Sequence, residues 1–126
     1  LESILDIEPF DFVQFSYNIE DREAERELLP TAREHGIATM INRPFQRGAL
    51  FKLSRGHALP EVAGELGCES WGQFFLKFVV SHPAVTCAIP ATSKPHHMLD
   101  NMGAGFGRLP DNAMRRRMVE YIQNLV

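Results

Sequence analysis

The sequence predicts an α/β fold: about three parallel strand–helix units plus a C-terminal helix, forming the C-terminal part of a (β/α)8 TIM barrel. Apolar β-forming runs alternate with amphipathic helical segments along the whole chain, the pattern of a parallel sheet with right-handed crossovers. The stretch from Val85 to Pro95 reads as a buried strand, a short polar loop and a helix opened by proline, like the phosphate-binding loops of late barrel units. The length, 126 residues, is about half of the roughly 250 that a complete eight-fold barrel needs. Residues 1–126 therefore form one partial domain.

Each element has a local reason. Leu1–Ile7 reads as the tail of a helix, and Asp11–Tyr17 as a strand rich in aromatic and β-branched residues. From Asp21 to His35 a helix carries Ala24, Leu28 and Ala32 on one face and stops at Gly36. Pro30 kinks it or marks where its regular part starts. Ile37–Ile41 is the second strand, followed by a long loop from Asn42 to about Leu59, rich in arginine and glycine. Pro60 opens a short helix. Ser70 then caps a stronger one, with Gln73 completing a capping box and Trp71, Phe74, Phe75, Phe78 and Val79 at core-facing spacing.

In the third unit, Pro95 stands at a first helical position, where its missing N–H costs nothing. That helix runs to about Asn101 and meets a glycine-rich link, Gly103–Gly107. Asp111 is the N-cap of the last helix, whose Met114, Met118, Tyr121, Ile122 and Leu125 share one face. Cys87 reads as a small core residue, and Arg115-Arg116-Arg117 as a solvated helix face. Tyr17 ends a strand on the ligand side without a sequence neighbour that would lower its pKa, and Tyr121 belongs to an apolar face.

Composition narrows the partners. The chain is 44% hydrophobic and 23% charged, with a net charge of −3, so nucleic acid and anionic membranes are not expected partners. No apolar run approaches the ~20 residues of a membrane span. Two cysteines make no disulfide framework. Adjacent His96 and His97 point apart on a helix and lack a third partner for a metal. The donors at the Pro95 helix start favour an anion, and Thr92, Ser93 and Lys94 add two hydroxyls and a charge to that cradle.

These residues resemble the aldo-keto reductase family. Gln14, Tyr17-Asn18, Leu28-Leu29-Pro30, Gly36-Ile37, Arg43-Pro44, Ile89 through Pro95, and Asp100-Asn101 occur in the family's order and spacing, matching its barrel from the end of the fifth helix onward. The resemblance implies an NADP(H)-dependent reductase of aldehydes and ketones, working by hydride transfer on a small-molecule carbonyl substrate. The family's catalytic aspartate, tyrosine, lysine and histidine lie in the N-terminal half, so this chain alone is expected to be inactive.

The resemblance also implies a cofactor site. Gln14 falls where a glutamine bonds the nicotinamide carboxamide, and Asn42 where many members stack an aromatic ring, with the flat guanidinium of Arg43 beside it. Arg47 and Gly48 lie in the loop that folds over the pyrophosphate. Ala91 and His97 stand where many members carry a lysine and an arginine for the 2′-phosphate; Thr92, Ser93 and Lys94 remain to meet it. Asn101 matches a residue that contacts adenine.

The opening Leu1–Leu5 looks joined mid-helix, so a C-terminal portion of a longer enzyme is expected. The alternative is a non-catalytic half-barrel that binds a nucleotide or self-associates through open sheet edges. A cytoplasmic and a periplasmic setting both stay open.

Overall fold

The computed structural model describes residues 10–90 and 94–126; the helix tail expected at Leu1–Ile7 lies outside them. Three parallel strands form one sheet: β1 (Phe12–Ser16), β2 (Ala38–Asn42) and β3 (Cys87–Ala88), in that order. β1 and β2 pair from Phe12↔Ala38 to Ser16↔Asn42, and β3 joins through Met40↔Cys87 and Ile41↔Ala88.

Alternation along the strands decides what each face meets, because successive side chains point to opposite sides. Val13, Phe15, Thr39 and Ile41 are buried beneath the helices. Phe12, Gln14, Met40 and Cys87 share the other face, where Phe12 is 61% exposed and Gln14 and Cys87 are exposed. In a closed barrel that second face would be the packed interior. This corrects the reading of Cys87 as a core residue: its register with Met40 turns it to the bare face. It also corrects the buried strand of the third unit. β3 is a two-residue edge strand, and the residues flanking it, Thr86 and Ile89, are exposed. Reciprocal hydrogen bonds hold it, Thr39 N–H donating to Thr86 Oγ1 at 2.9 Å and Thr86 N–H to Thr39 Oγ1 at 3.0 Å.

The helical layer follows the sequence closely. The segment 21–35 divides into a 3-10 turn, Glu23–Glu25, and α1 (Leu28–Glu34), so Pro30 sits in the first turn, as a helix start tolerates. The long loop after β2 is more structured than its composition suggests. It contains a 3-10 turn, Gln46–Gly48, and α2 (Ala49–Ser54), and Pro60 then caps α3 (Glu61–Glu65). α4 (Trp71–Val80) starts at Ser70, whose hydroxyl accepts from Gln73 N–H at 3.1 Å. The return bond differs from a capping box by one residue, since Gln73 Oε1 accepts from Glu69 N–H at 2.8 Å. α5 (Pro95–Met102) and α6 (Asn112–Leu125) begin where expected, with Lys94 and Asp111 as their caps. Asp111 accepts from Met114 N–H at 2.9 Å.

Two buried cations tie this layer together. Lys77 is 1% exposed and gives its three protons to the carbonyls of Leu66, Phe106 and Arg108, at 2.6, 2.8 and 2.9 Å. It thereby anchors the glycine-rich link to α4. Arg115 corrects the reading of a wholly solvated arginine run. It lies over the Phe78 ring, donates to Phe78 O and Ser81 Oγ, and reaches Tyr17 Oη at 2.7 Å and Glu25 at 3.3 Å. Arg116 and Arg117 are exposed. No helix among the described residues is long and apolar enough to cross a membrane.

Candidate functional site

The expected ligand residues gather where the strands end and their loops begin. From the middle of β1 to the C-terminal end of β2, Gln14 Nε2 donates to Asn42 Oδ1 at 2.5 Å, which places an amide pair on the bare face of the sheet. The register makes this meeting unavoidable: Gln14 pairs with Met40, and Asn42 lies two residues on, along the same face.

Beyond Asn42 the backbone turns sharply. Arg43, Gln46 and Arg47 have φ of 51°, 53° and 56°, and Gly48 has 87°. Left-handed backbone costs an L-residue roughly 1–2 kcal/mol, and such strain concentrates at ligand-binding turns. Arg43 and Arg47 line a cleft of about 280 Å3 with Ser16, Asn18, Asp21 and Gln46. Asn18 holds the cleft's shape. Its Nδ2 donates to Arg43 O at 3.1 Å, while its Oδ1 accepts from Glu20 N–H at 3.0 Å and Asp21 N–H at 2.8 Å. The sequence signal for it is an asparagine just past a strand with an aspartate three residues on, an Asx turn.

A second cleft, about 510 Å3, is lined by Phe45, the residue before Gln46 of the first. Phe45, Phe51 and Trp71 line it with aromatic rings, and His97, Asp100 and Asn101 of α5 line it with polar groups. The Phe45 and Phe51 rings lie 4.7 Å apart, and Trp71 stacks on Phe75 at 5.5 Å. Lys94, exposed at the start of α5, accepts from His97 N–H at 3.1 Å through its carbonyl. Thr92 and Ser93, the hydroxyls of the anion cradle, lie outside the described residues, as does Ala91.

Tyr17 departs from its reading as a residue of the ligand side. It is fully buried under the helices and donates to Glu25 at 2.5 Å. Burial pushes its hydroxyl well above the ordinary tyrosine value, against the opposing pull of Arg115, so it stays protonated in the fold. Tyr121 donates to Ala58 O at 3.1 Å and packs on the core. The described residues contain no group of three or more metal-binding side chains.

The arrangement therefore defines a class: an α/β unit with a three-stranded parallel sheet, helices on one of its faces and clefts among its loops. The profile of the aldo/keto reductase family matches residues 3–118, and the chain belongs to that family. Among curated proteins, the NADH-specific methylglyoxal reductase of Escherichia coli (strain K12) is 42% identical over 40 residues, 32% of this chain and 12% of its own. Among solved structures, an aldo-keto reductase from Bacillus halodurans in its holo form aligns with a TM-score of 0.69 and 20% identity. That alignment covers 96% of this chain and 45% of that one. The thermostable aldo-keto reductase Tm1743, in complex with epalrestat, aligns at 0.61 and 24%, covering 90% and 39%. The structural likenesses show the barrel fold, and the chain spans less than half the length of each of these relatives.

Proposed function

We propose that this chain builds the dinucleotide-binding part of an NADP(H)-dependent aldo-keto reductase that reduces aldehydes or ketones to alcohols. The observation that carries the reading is that consecutive residues of the β2–α2 loop, Phe45 and Gln46, line two clefts, one of which also takes in α5. The clefts hold Arg43, Arg47, His97 and Asn101, and the sheet holds the Gln14–Asn42 amide pair one residue before Arg43.

The chemistry of these donors fits a phosphorylated dinucleotide. Gln14 and Asn42 offer amide groups to a carboxamide. Arg43 and Arg47 offer charge to a pyrophosphate at a turn whose left-handed backbone brings it close. Phe45, Phe51 and His97 offer ring faces, and Asn101 a hydrogen bond, to adenine. Lys94, with Thr92 and Ser93, offers charge and hydroxyls to a 2′-phosphate. When bound, the cofactor supplies the hydride that the substrate carbonyl carbon receives. The proton donor and its partners belong to barrel units outside this chain, and the isolated chain is therefore inactive.

NADPH and NADH are titrated separately by calorimetry and by Trp71 emission, against the chain and its Lys94→Ala variant. The relative named above is NADH-specific, so the ratio of the two affinities is the informative quantity. The expected result is tighter binding of NADPH, with Lys94→Ala weakening NADPH about tenfold and NADH little, the loss of one charged hydrogen bond. Equal losses refute the 2′-phosphate assignment, and no binding of either nucleotide refutes the reading.

A further inference from the structure

α5 carries His97 and Asn101 into the second cleft, yet it buries no residue of its own in the core. Something other than apolar packing must hold it. Its last turn meets the first turn of α4 in a set of polar bonds. Ser70 Oγ donates to Asp100 Oδ2 at 2.5 Å. Gln73 Nε2 donates to Asp100 O at 2.9 Å and to Asp100 Oδ1 at 3.2 Å. The Gln73 amide is then fully used, since its oxygen accepts from Glu69 N–H.

The side chains of this set leave little room for a Cβ at Gly103, and only a tight fit at Gly72. A Cβ on Gly103 would stand 2.3 Å from Gln73 Nε2. On Gly72 it would stand 3.3 Å from Asn101 Oδ1 and 3.4 Å from Asp100 Oδ2. Gln73 is 6% exposed, so its bonds form largely out of water, where an unmatched partner is costly.

We infer that Ser70 and Gln73 are positioning residues: by engaging both Asp100 carboxylate oxygens they fix the place of α5, and with it the His97 and Asn101 side of the cleft. Asp100 is thereby committed to the protein, which leaves His97 and Asn101 as the ligand-facing groups of that helix. The consequence for nucleotide affinity rests on the function proposed above. A helix in place for only a fraction of the time lowers apparent affinity by that fraction.

The test is a charge swap on this chain. Gln73→Glu sets a carboxylate against Asp100. Adding Asp100→Asn restores a donor facing the new carboxylate, and the new amide oxygen still accepts from Ser70, while the bond to the carbonyl of residue 100 stays lost. Amide exchange is followed over 96–102, with 74–79 as the internal control, and NADPH is titrated in parallel. The expected result for Gln73→Glu is about tenfold faster exchange in α5, unchanged exchange at 74–79, and about tenfold weaker NADPH binding. The double variant should recover both to within about threefold. Should Gln73→Glu also loosen 74–79, Gly103→Ala is used instead, since it displaces the same amide from the other side.

Unchanged exchange in α5 overturns the clamp, and so does failure of the double variant to recover. Faster exchange that the swap repairs, with NADPH affinity constant throughout, upholds the clamp and refutes the assignment of α5 to the nucleotide.

Discussion

Arg115 offers the sharpest test of how the helical layer is held. Its guanidinium spans Tyr17 at the end of β1, Glu25 in the turn that follows, and the carbonyl and hydroxyl at the end of α4. Replacement by methionine keeps most of the volume and removes every donor. Some partners recover: Tyr17 keeps its bond to Glu25, and Phe78 O keeps the Ser81 hydroxyl at 2.8 Å. The Glu25 side chain, 32% exposed, regains some water but loses its counter-charge. Removing one partner of a buried pair costs about 3–5 kcal/mol, and this partial recovery places the loss near the lower figure. The cation over the Phe78 ring at 4.0 Å is worth about 1 kcal/mol of that. Urea unfolding of Arg115→Met should therefore give a loss of about 3 kcal/mol at an unchanged urea slope. Pairing it with Glu25→Gln should return part of the loss, because the stranded charge is gone. A loss below about 1 kcal/mol for the single variant would refute the network as a stabilising feature.

Two further outcomes follow from the same structure. His82 Nδ1 accepts from Ala84 N–H at 3.1 Å and the ring edge meets Tyr17 at 6.0 Å. Burial first, then the charges of Arg115 and Arg33 against that of Glu25, lower its pKa from 6.5. An unfolded chain then binds the proton more readily, so stability falls as pH drops below about 6.5 and levels off below the folded value. The urea midpoint should show that slope and His82→Asn should flatten it, whereas an equal slope in the variant assigns it to other groups. The thiols should differ as the sheet faces do. Cys87 is exposed, and Cys68 is buried with its pKa raised by burial, so mass spectrometry after brief alkylation should find Cys87 modified and Cys68 intact until denaturant is added. Equal labelling of the two would contradict the bare face of the sheet.

Much of the fold was legible because its determinants are local. The caps Ser70 and Asp111 announce themselves within three residues, and Pro95 marks a helix start by its fixed φ. The Phe74, Phe75 and Phe78 stripe is buried because a period of 3.6 admits one core face. What the sequence withheld depends on distant partners. Arg115 read as one of three solvated arginines, although it stands three residues before Met118 and seven before Ile122, on the buried face of α6. That spacing is the available signal. It is weak, because an arginine there needs Tyr17 and Glu25, about ninety positions away, to be tolerated. Cys87 misled for the opposite reason: a short apolar run cannot say which strand face will have something packed on it.

The site divides along the same line. Gln14, Asn42, Arg43 and Arg47 are singled out by the family resemblance, and strand order gives the reason for their proximity, since parallel strands bring successive loops to one edge. Gln73 is not, because its capping role is visible within one turn while its bonds to Asp100 span 27 residues. The two ends of the site also differ in how much of their support this chain supplies. The second cleft is lined by the chain's own groups, aromatic rings together with α5, which is braced by α4. The Gln14–Asn42 pair lies on the sheet face where Phe12 and Cys87 stand open to solvent. Under the proposed function, the adenine end of the dinucleotide therefore meets a formed surface. Its nicotinamide end depends on side chains that a closed barrel would bring across the sheet.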